Sequence, residues 1–120
     1  MHPKDVRKIV RIPGVRNASF VGYDGQVVFH EGRVSPLLHA QLLRGWNDFS
    51  NGDEQLARPT LQEIHWEAGI LLVAPTLAGL IVVETDRTAN VGMLRLELEP
   101  LRSHIDIAYK AELQTAGEAP

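Results

Sequence analysis

Glu63, His65 and Glu67 are the residues whose types and spacing come nearest to a chemical site. At i, i+2 and i+4 of an extended segment they share one face, about 6–7 Å from one to the next, a spacing that suits a metal ion or an acid–base pair. A single histidine with two flexible carboxylates falls short of the closed ligand set that zinc takes. The competing reading, a solvated and charged strand face, is the one the pattern favours. His2, His30, His39 and His104 are scattered without a partner set and read as structural or exposed. No hydroxyl residue sits in a Gly-x-Ser-x-Gly elbow, and Gly-x-x-x-x-Gly-Lys-Ser/Thr, the phosphate-cradling loop, does not occur. Asn90-Val91-Gly92 opens a helix whose first amides can hold an anion, but helix initiation accounts for those residue types. The expectation is a non-enzyme with no catalytic residue, no cofactor and no metal.

Composition narrows the class further. The chain has 120 residues, 44% of them apolar and 22% charged, about one average domain with room for a single core. Its 12 basic and 15 acidic side chains give a formal charge of −3, with no basic stripe to neutralise phosphates, so nucleic acid is not an expected partner. The absence of cysteine removes disulfides, thiolate nucleophiles and thiolate metal sites together. The longest apolar run, residues 68–83, is interrupted by Gly69, Pro75, Thr76 and Gly79 and falls short of the ~20 residues of a spanning helix. Residues 1–5 have no apolar stretch behind their charges. The reading is a soluble, cytoplasmic protein with no membrane insertion.

The elements that would position any site follow from periodicity. Val6, Ile9 and Val10 mark one face of a short helix over residues 4–11, which Pro13-Gly14 ends. Residues 18–23 and 27–30 read as strands joined by Asp24-Gly25, a strong hairpin signal. Ser35-Pro36 is a helix start, and Leu38, Leu42, Trp46 and Phe49 form a stripe along that helix, which Asn51-Gly52 stops. After a polar connection over residues 53–59 come three β-prone runs, 61–68, 70–74 and 80–85. A last helix carries Val91, Leu94, Leu98, Leu101 and Ile105 on one stripe, with Arg95, Glu99 and Arg102 on its solvated side. Pro100 should remove a backbone hydrogen bond and bend it. Residues 113–120 read as a frayed tail after a single domain of residues 1–112. The order α-β-β-α-β-β-β-α predicts an α+β fold, one five-stranded antiparallel sheet with helices on both faces.

Ile12-Pro13-Gly14-Val15, Asp24-Gly25, Gly69-Ile70-Leu71-Leu72-Val73, Leu80-Ile81-Val82-Val83-Glu84 and Asn90-Val91-Gly92-Met93-Leu94-Arg95, in that order and spacing, resemble the Roadblock/LC7 (dynein light chain) family over residues 6–105. The resemblance implies the middle helix on one sheet face and the two terminal helices on the other. It implies a homodimer, or a heterodimer with a paralogue, in which the third strands pair into a ten-stranded sheet with the middle helices side by side. It implies a non-catalytic platform: a dynein subunit, a scaffold for small Ras-like GTPases, or a bacterial GTPase regulator that rearranges the GTPase's own catalytic residues and inserts none. The proline inside the last helix and the lack of long terminal extensions are departures from the family pattern.

Carried onto this chain, the resemblance makes residues 61–68 the dimerising strand and puts Leu61, Ile64, Trp66, Leu43 and Trp46 at the dimer interface. An unpaired strand edge without proline is a liability that a second copy would relieve; the alternative is that the 53–59 connection covers it. Trp46 lies on the apolar stripe of the middle helix and is read either as core or as an interface anchor. Leu37, Gln41, Arg44 and Asp48 form the opposite face of that helix and are the candidate partner-binding residues, with plain solvent as the alternative. Two other functions remain open at this point: a small-molecule-sensing module, for which the inward strand residues offer few polar groups, and a structural subunit of a larger assembly.

Overall fold

The computed structural model describes residues 3–33, 35–52 and 61–118. The chain runs α1 (Pro3–Val10), β1 (Val15–Gly22), β2 (Val27–Glu31), α2 (Pro36–Gly52), β3 (Gln62–Trp66), β4 (Gly69–Pro75), β5 (Gly79–Thr85) and α3 (Val91–Glu118). The five strands form one antiparallel sheet in the order β2-β1-β5-β4-β3, so the sequence-derived order and class are those of the molecule. β4 and β5 are central and buried on both faces, which is why they read as nearly continuous Val, Ile and Leu runs rather than alternating ones.

Alternation along these strands divides the core in two. Ala18, Phe20, Ile70, Leu72, Ala74, Ile81 and Val83 face α1 and α3, where they pack with Ile9, Leu94, Leu98, Leu101 and Ile105. Val21, Leu71, Val73, Leu80 and Val82 face α2, where they meet Leu43 and the half-buried Leu38, Leu42 and Trp46. The middle helix thus covers one face and the terminal helices the other, as the resemblance implied.

Local chemistry sets the ends of the elements. Ser35 Oγ accepts from the Leu38 amide at 3.2 Å and Asn90 Oδ1 from the Met93 amide at 3.0 Å, so α2 and α3 each begin on a side-chain cap. The Asn90 carboxamide thereby occupies an amide that an anion would otherwise use. The first hairpin differs from the expected two-residue turn. Gly25 N donates to Gly22 O and Gly22 N to Gln26 O, both at 2.9 Å, leaving Tyr23, Asp24 and Gly25 as a three-residue loop. Gly25, at φ +90°, supplies the left-handed residue that such a loop closes on. At Gly69 the reason for glycine is contact: a Cβ there would lie 1.9 Å from Thr85 O.

Two expectations for the last helix are corrected. α3 is one continuous helix through Pro100 and past residue 112 to Glu118, so the stretch read as a tail from 113 is helical as far as it is described, with Thr115 Oγ1 donating to Ala111 O at 3.0 Å. Pro100 is tolerated because it is exposed: the Leu96 carbonyl that lacks an amide partner is on the outer surface of the helix, within reach of water. Arg102 is not on a solvated face. It is buried, its Nε donates to Pro75 O at 3.0 Å and its Nη1 to Glu99 at 2.9 Å. Beside it buried Asp106 accepts from the Leu77 amide at 2.8 Å. The two charges are used to hold the β4–β5 turn, satisfying backbone groups that would otherwise be buried unpaired.

Candidate functional site

The sheet has two edges, and they differ. On β2 the register slips between Phe20 and Val21, so that Val28 is an extra, bulged residue. A bulge of this kind twists an edge away from further pairing. On β3 the register runs without interruption, Gln62 opposite Val73 through Trp66 opposite Gly69. The strand is shorter than residues 61–68, because Glu67 and Ala68 make the turn into β4. The charge of Glu63 blunts only one face of this edge and no proline interrupts it, and the 53–59 connection that was the alternative cover lies outside the described residues.

The faces of β3 follow from its partners. Ile64 lies opposite Leu71 and Trp66 opposite Gly69, which places both on the α2 side of the sheet; they are 40% and 47% exposed. Glu63 and His65, opposite Leu72 and Ile70, lie on the α3 side. There Glu63 is clamped by Arg95 of α3 at 2.9 Å and by His65 Nε2 at 2.7 Å. The hydrogen bond from Arg95, then that from His65, holds the Glu63 carboxyl below its ordinary value. Glu67 does not join them; its carbonyl accepts from Arg87 Nη2 at 3.0 Å. Among the described residues no group of three or more His, Asp or Glu side chains is placed to hold a metal ion.

Of the five residues expected at the dimer interface, Ile64 and Trp66 are exposed on the edge strand. Leu61 and Leu43 face inward within the single chain. Leu61 is 7% exposed within the core under α1 and α3, and Leu43 is 8% exposed between α2 and the sheet, so each is consumed by the fold of its own chain. Trp46 packs within its own chain. It is half-buried at the edge of the α2 core and its ring stacks on Tyr23, centroids 6.1 Å apart and planes 17° from parallel. Tyr23 in turn donates its hydroxyl to Thr76 O, and burial, followed by the nearby Asp106 carboxylate, pushes it up to about 12. Leu37, 69% exposed, lies with exposed Gln41 and Arg44 on the outward face of α2. The side chains of Asp48 and Phe49 lie outside the described residues.

Sequence reasoning missed the polar cluster beneath α2. Ser19 Oγ and His39 Nε2 are 2.9 Å apart and both residues are buried; Asn17 Nδ2 donates to Glu84 on the same sheet face. Burial pushes the His39 ring down from its ordinary value, with Glu84 opposing weakly. The signal was present in the spacing: His39 precedes Leu43 by one helical step, so the stripe through Leu38, Leu42 and Trp46 is flanked by a second inward row. Ser19 and His39 have the types of a nucleophile and base, but at 1% and 5% exposure no substrate reaches them, and they act as an internal tie between α2 and β1. No described helix is long and apolar enough to cross a membrane.

No family profile matches the sequence, and no curated protein matches it. Solved structures do. The fold is similar to that of MglB from Myxococcus xanthus, with a TM-score of 0.77 and 11% identity over 91% of this chain and 94% of that one. It is similar to a Roadblock/LC7 domain from Streptomyces avermitilis, with a TM-score of 0.68 and 16% identity over 94% and 98%. It is also similar to the gliding protein MglB from Thermus thermophilus, with a TM-score of 0.71 and 18% identity over 86% and 84%. At these identities what the likeness establishes is architecture. The chain has the fold of the Roadblock/LC7 domains.

Proposed function

We propose that the protein is a non-catalytic, dimeric regulator or scaffold for a small Ras-like GTPase in the cytoplasm. Two copies pair through their β3 strands, and their α2 helices then lie side by side and present Leu37, Gln41 and Arg44 to the GTPase. The observation that carries this reading is the contrast between the two sheet edges. β2 is bulged, whereas β3 is regular and sets exposed Ile64 and Trp66 on the α2 side. Pairing that edge satisfies its backbone groups and covers both side chains at once. The resemblance to Roadblock/LC7 domains and the architecture shared with MglB support the GTPase as partner. They support equally a role in which the protein contributes contacts and the partner supplies its own catalytic groups.

The test is a titration with the candidate GTPase loaded with GDP or with a non-hydrolysable GTP analogue. Binding selective for the analogue is expected. Arg44→Glu reverses the one described charge on the outward face of α2 and is expected to weaken binding about 10-fold or more, as loss of an interfacial charge contact does, with dimer mass and thermal unfolding unchanged. Unaltered affinity would remove this face from the interface. Capture of large assemblies irrespective of nucleotide would replace regulation with a structural-subunit role.

A further inference from the structure

Among the described side chains of α2, two are buried, Leu43 and His39, while Leu38, Leu42 and Trp46 are half-buried. On α3, by contrast, Leu94, Leu98, Leu101 and Ile105 are all buried against the sheet. Apolar burial supplies most of what holds a helix in place, so α2 is the less firmly seated of the two. One of its two buried side chains is ionisable.

The surroundings of the His39 ring suit one protonation state. Neutral imidazole has one N–H and one bare nitrogen, and the charged ring has donors on both. Nε2 meets Ser19 Oγ at 2.9 Å, and Nδ1 is buried with no hydrogen-bond partner. Whichever tautomer is present, an added proton leaves a buried cationic N–H at Nδ1 with nothing to accept it, a costly arrangement. The charged and titratable groups of the strands under α2 are Glu84 of β5, His30 of β2 opposite Ser19, exposed Arg16 beside Asn17, and Tyr23, which stacks on Trp46 farther along the helix. Arg33 is exposed in the connection before α2, and Arg44 is on its outer face. Of these, Glu84 has the sign to steady a charged ring, and Asn17 Nδ2 already occupies its carboxylate at 2.5 Å. Burial outweighs the opposing pull of Glu84.

We propose that His39 is an acid-sensitive latch: when its ring gains a proton, the first turns of α2 lift from the sheet as far as Leu43, water reaches Nδ1, and the rest of the fold stays closed. The larger core, between the sheet and helices α1 and α3, contains no residue of α2, so the release leaves it intact. Leu37 and Gln41 lie on the turns that move, so the face assigned to the GTPase would be altered by acid. That consequence rests on the GTPase reading; the latch itself does not, and is tested on the protein without a partner.

The test is amide hydrogen exchange, expressed as protection factors corrected for the intrinsic effect of pH. In the released segment the ring titrates near its ordinary value of 6.5, so each pH unit below that favours release by up to about 10-fold. The amides of residues 39–42 are expected to lose protection by about 5- to 10-fold between pH 7.5 and pH 5.5. They are expected to start below the protection of β4 and β5 and to exchange at a rate that low denaturant leaves unchanged, as a local opening does. His39→Leu and His39→Gln remove the titrating ring, and Gln keeps a side-chain donor for Ser19. Both variants, checked for folding by circular dichroism, are expected to show no such dependence. The proposal would be overturned by wild-type protection that pH does not alter, by a dependence that survives in both variants, as titration of His30 would give, or by residues 39–42 as protected as β4 and β5. None of these results bears on the GTPase, whose binding is read at a single pH of 7.5.

Discussion

The residue whose environment departs most from what its type suggests is His39. Its Nε2 meets Ser19 Oγ, but its Nδ1 is buried without a hydrogen-bond partner. A buried imidazole with one unsatisfied nitrogen favours the neutral ring, in keeping with the downward displacement that burial causes. The consequence for stability has a definite sign. In the unfolded chain the ring protonates near its ordinary value of 6.5, whereas in the folded chain it stays neutral to lower pH. Between those values the unfolded state binds more protons, so stability rises with pH through this window and is lost as pH falls below about 6.5. Denaturant unfolding of the wild type is expected to show that slope between pH 7 and pH 5, and His39→Leu is expected to flatten it. An unchanged slope in the variant would assign it to other groups. Ser19→Ala alone should cost about 1–3 kcal/mol, by leaving a buried ring nitrogen unpaired, while Ser19→Ala with His39→Leu should cost less than the sum of the single changes.

Among the elements, the strands and the capped helix starts were the legible part and the C-terminal end of α3 the illegible part, and both have physical causes. β4 and β5 announce themselves because burial on both faces allows hardly anything but Val, Ile, Leu and Ala between their turns. Ser35 and Asn90 announce helix starts because a short side chain must reach an orphan amide. Arg102 misled because periodicity reports where an apolar residue is required and says nothing of a polar group needed by a turn distant in sequence, here Pro75 O. The inward position of His39 was legible in its spacing to Leu43, but its partner was hidden for the same reason, Ser19 lying on a strand twenty residues earlier. Pro100 does not end the helix, because a helix held by Leu94, Leu98, Leu101 and Ile105 tolerates one missing hydrogen bond on its exposed side. Tertiary packing supplies more than the lost bond removes. That tolerance is measurable. Pro100→Ala restores an amide for the Leu96 carbonyl and removes the ring from the helix interior, and is expected to stabilise the protein by about 1–3 kcal/mol. The check is a shift of the unfolding midpoint at constant slope. A neutral result would mean that α3 is already bent to suit the ring and does not straighten when it is removed.

At the scale of the whole molecule, one sheet separates two surfaces of different kinds. On the α2 side an outward helix face and the apolar half of β3 lie together; on the other, α3 covers the sheet and ties to the edge strand through Arg95 and Glu63. The sequence pointed to β3 as an edge because it lies at one end of the meander, and the sheet order places it there. It could not reveal that Leu61 and Leu43 belong to the cores, since an apolar residue beside an edge has the same type whether it faces inward or outward. The remaining apolar surface at the edge is therefore concentrated in Ile64 and Trp66, and dimerisation should depend on them steeply. Trp66→Lys puts a charge where two edges would meet and removes an exposed aromatic surface, the kind of anchor that contributes 2 kcal/mol or more at an interface, about 30-fold in affinity. In sedimentation the wild type is expected as a dimer and Trp66→Lys as a monomer at the same concentration, with the thermal midpoint of the monomer nearly preserved because residue 66 is outside both cores. The two tryptophans provide an optical check. Trp46 is stacked on Tyr23 within one chain, so emission that shifts to shorter wavelength with rising concentration should come from Trp66 entering an interface, and Trp66→Phe should abolish the shift. A dimer that survives Trp66→Lys would show that the edge is not where the copies meet, and with it the side-by-side arrangement of the α2 helices would fall.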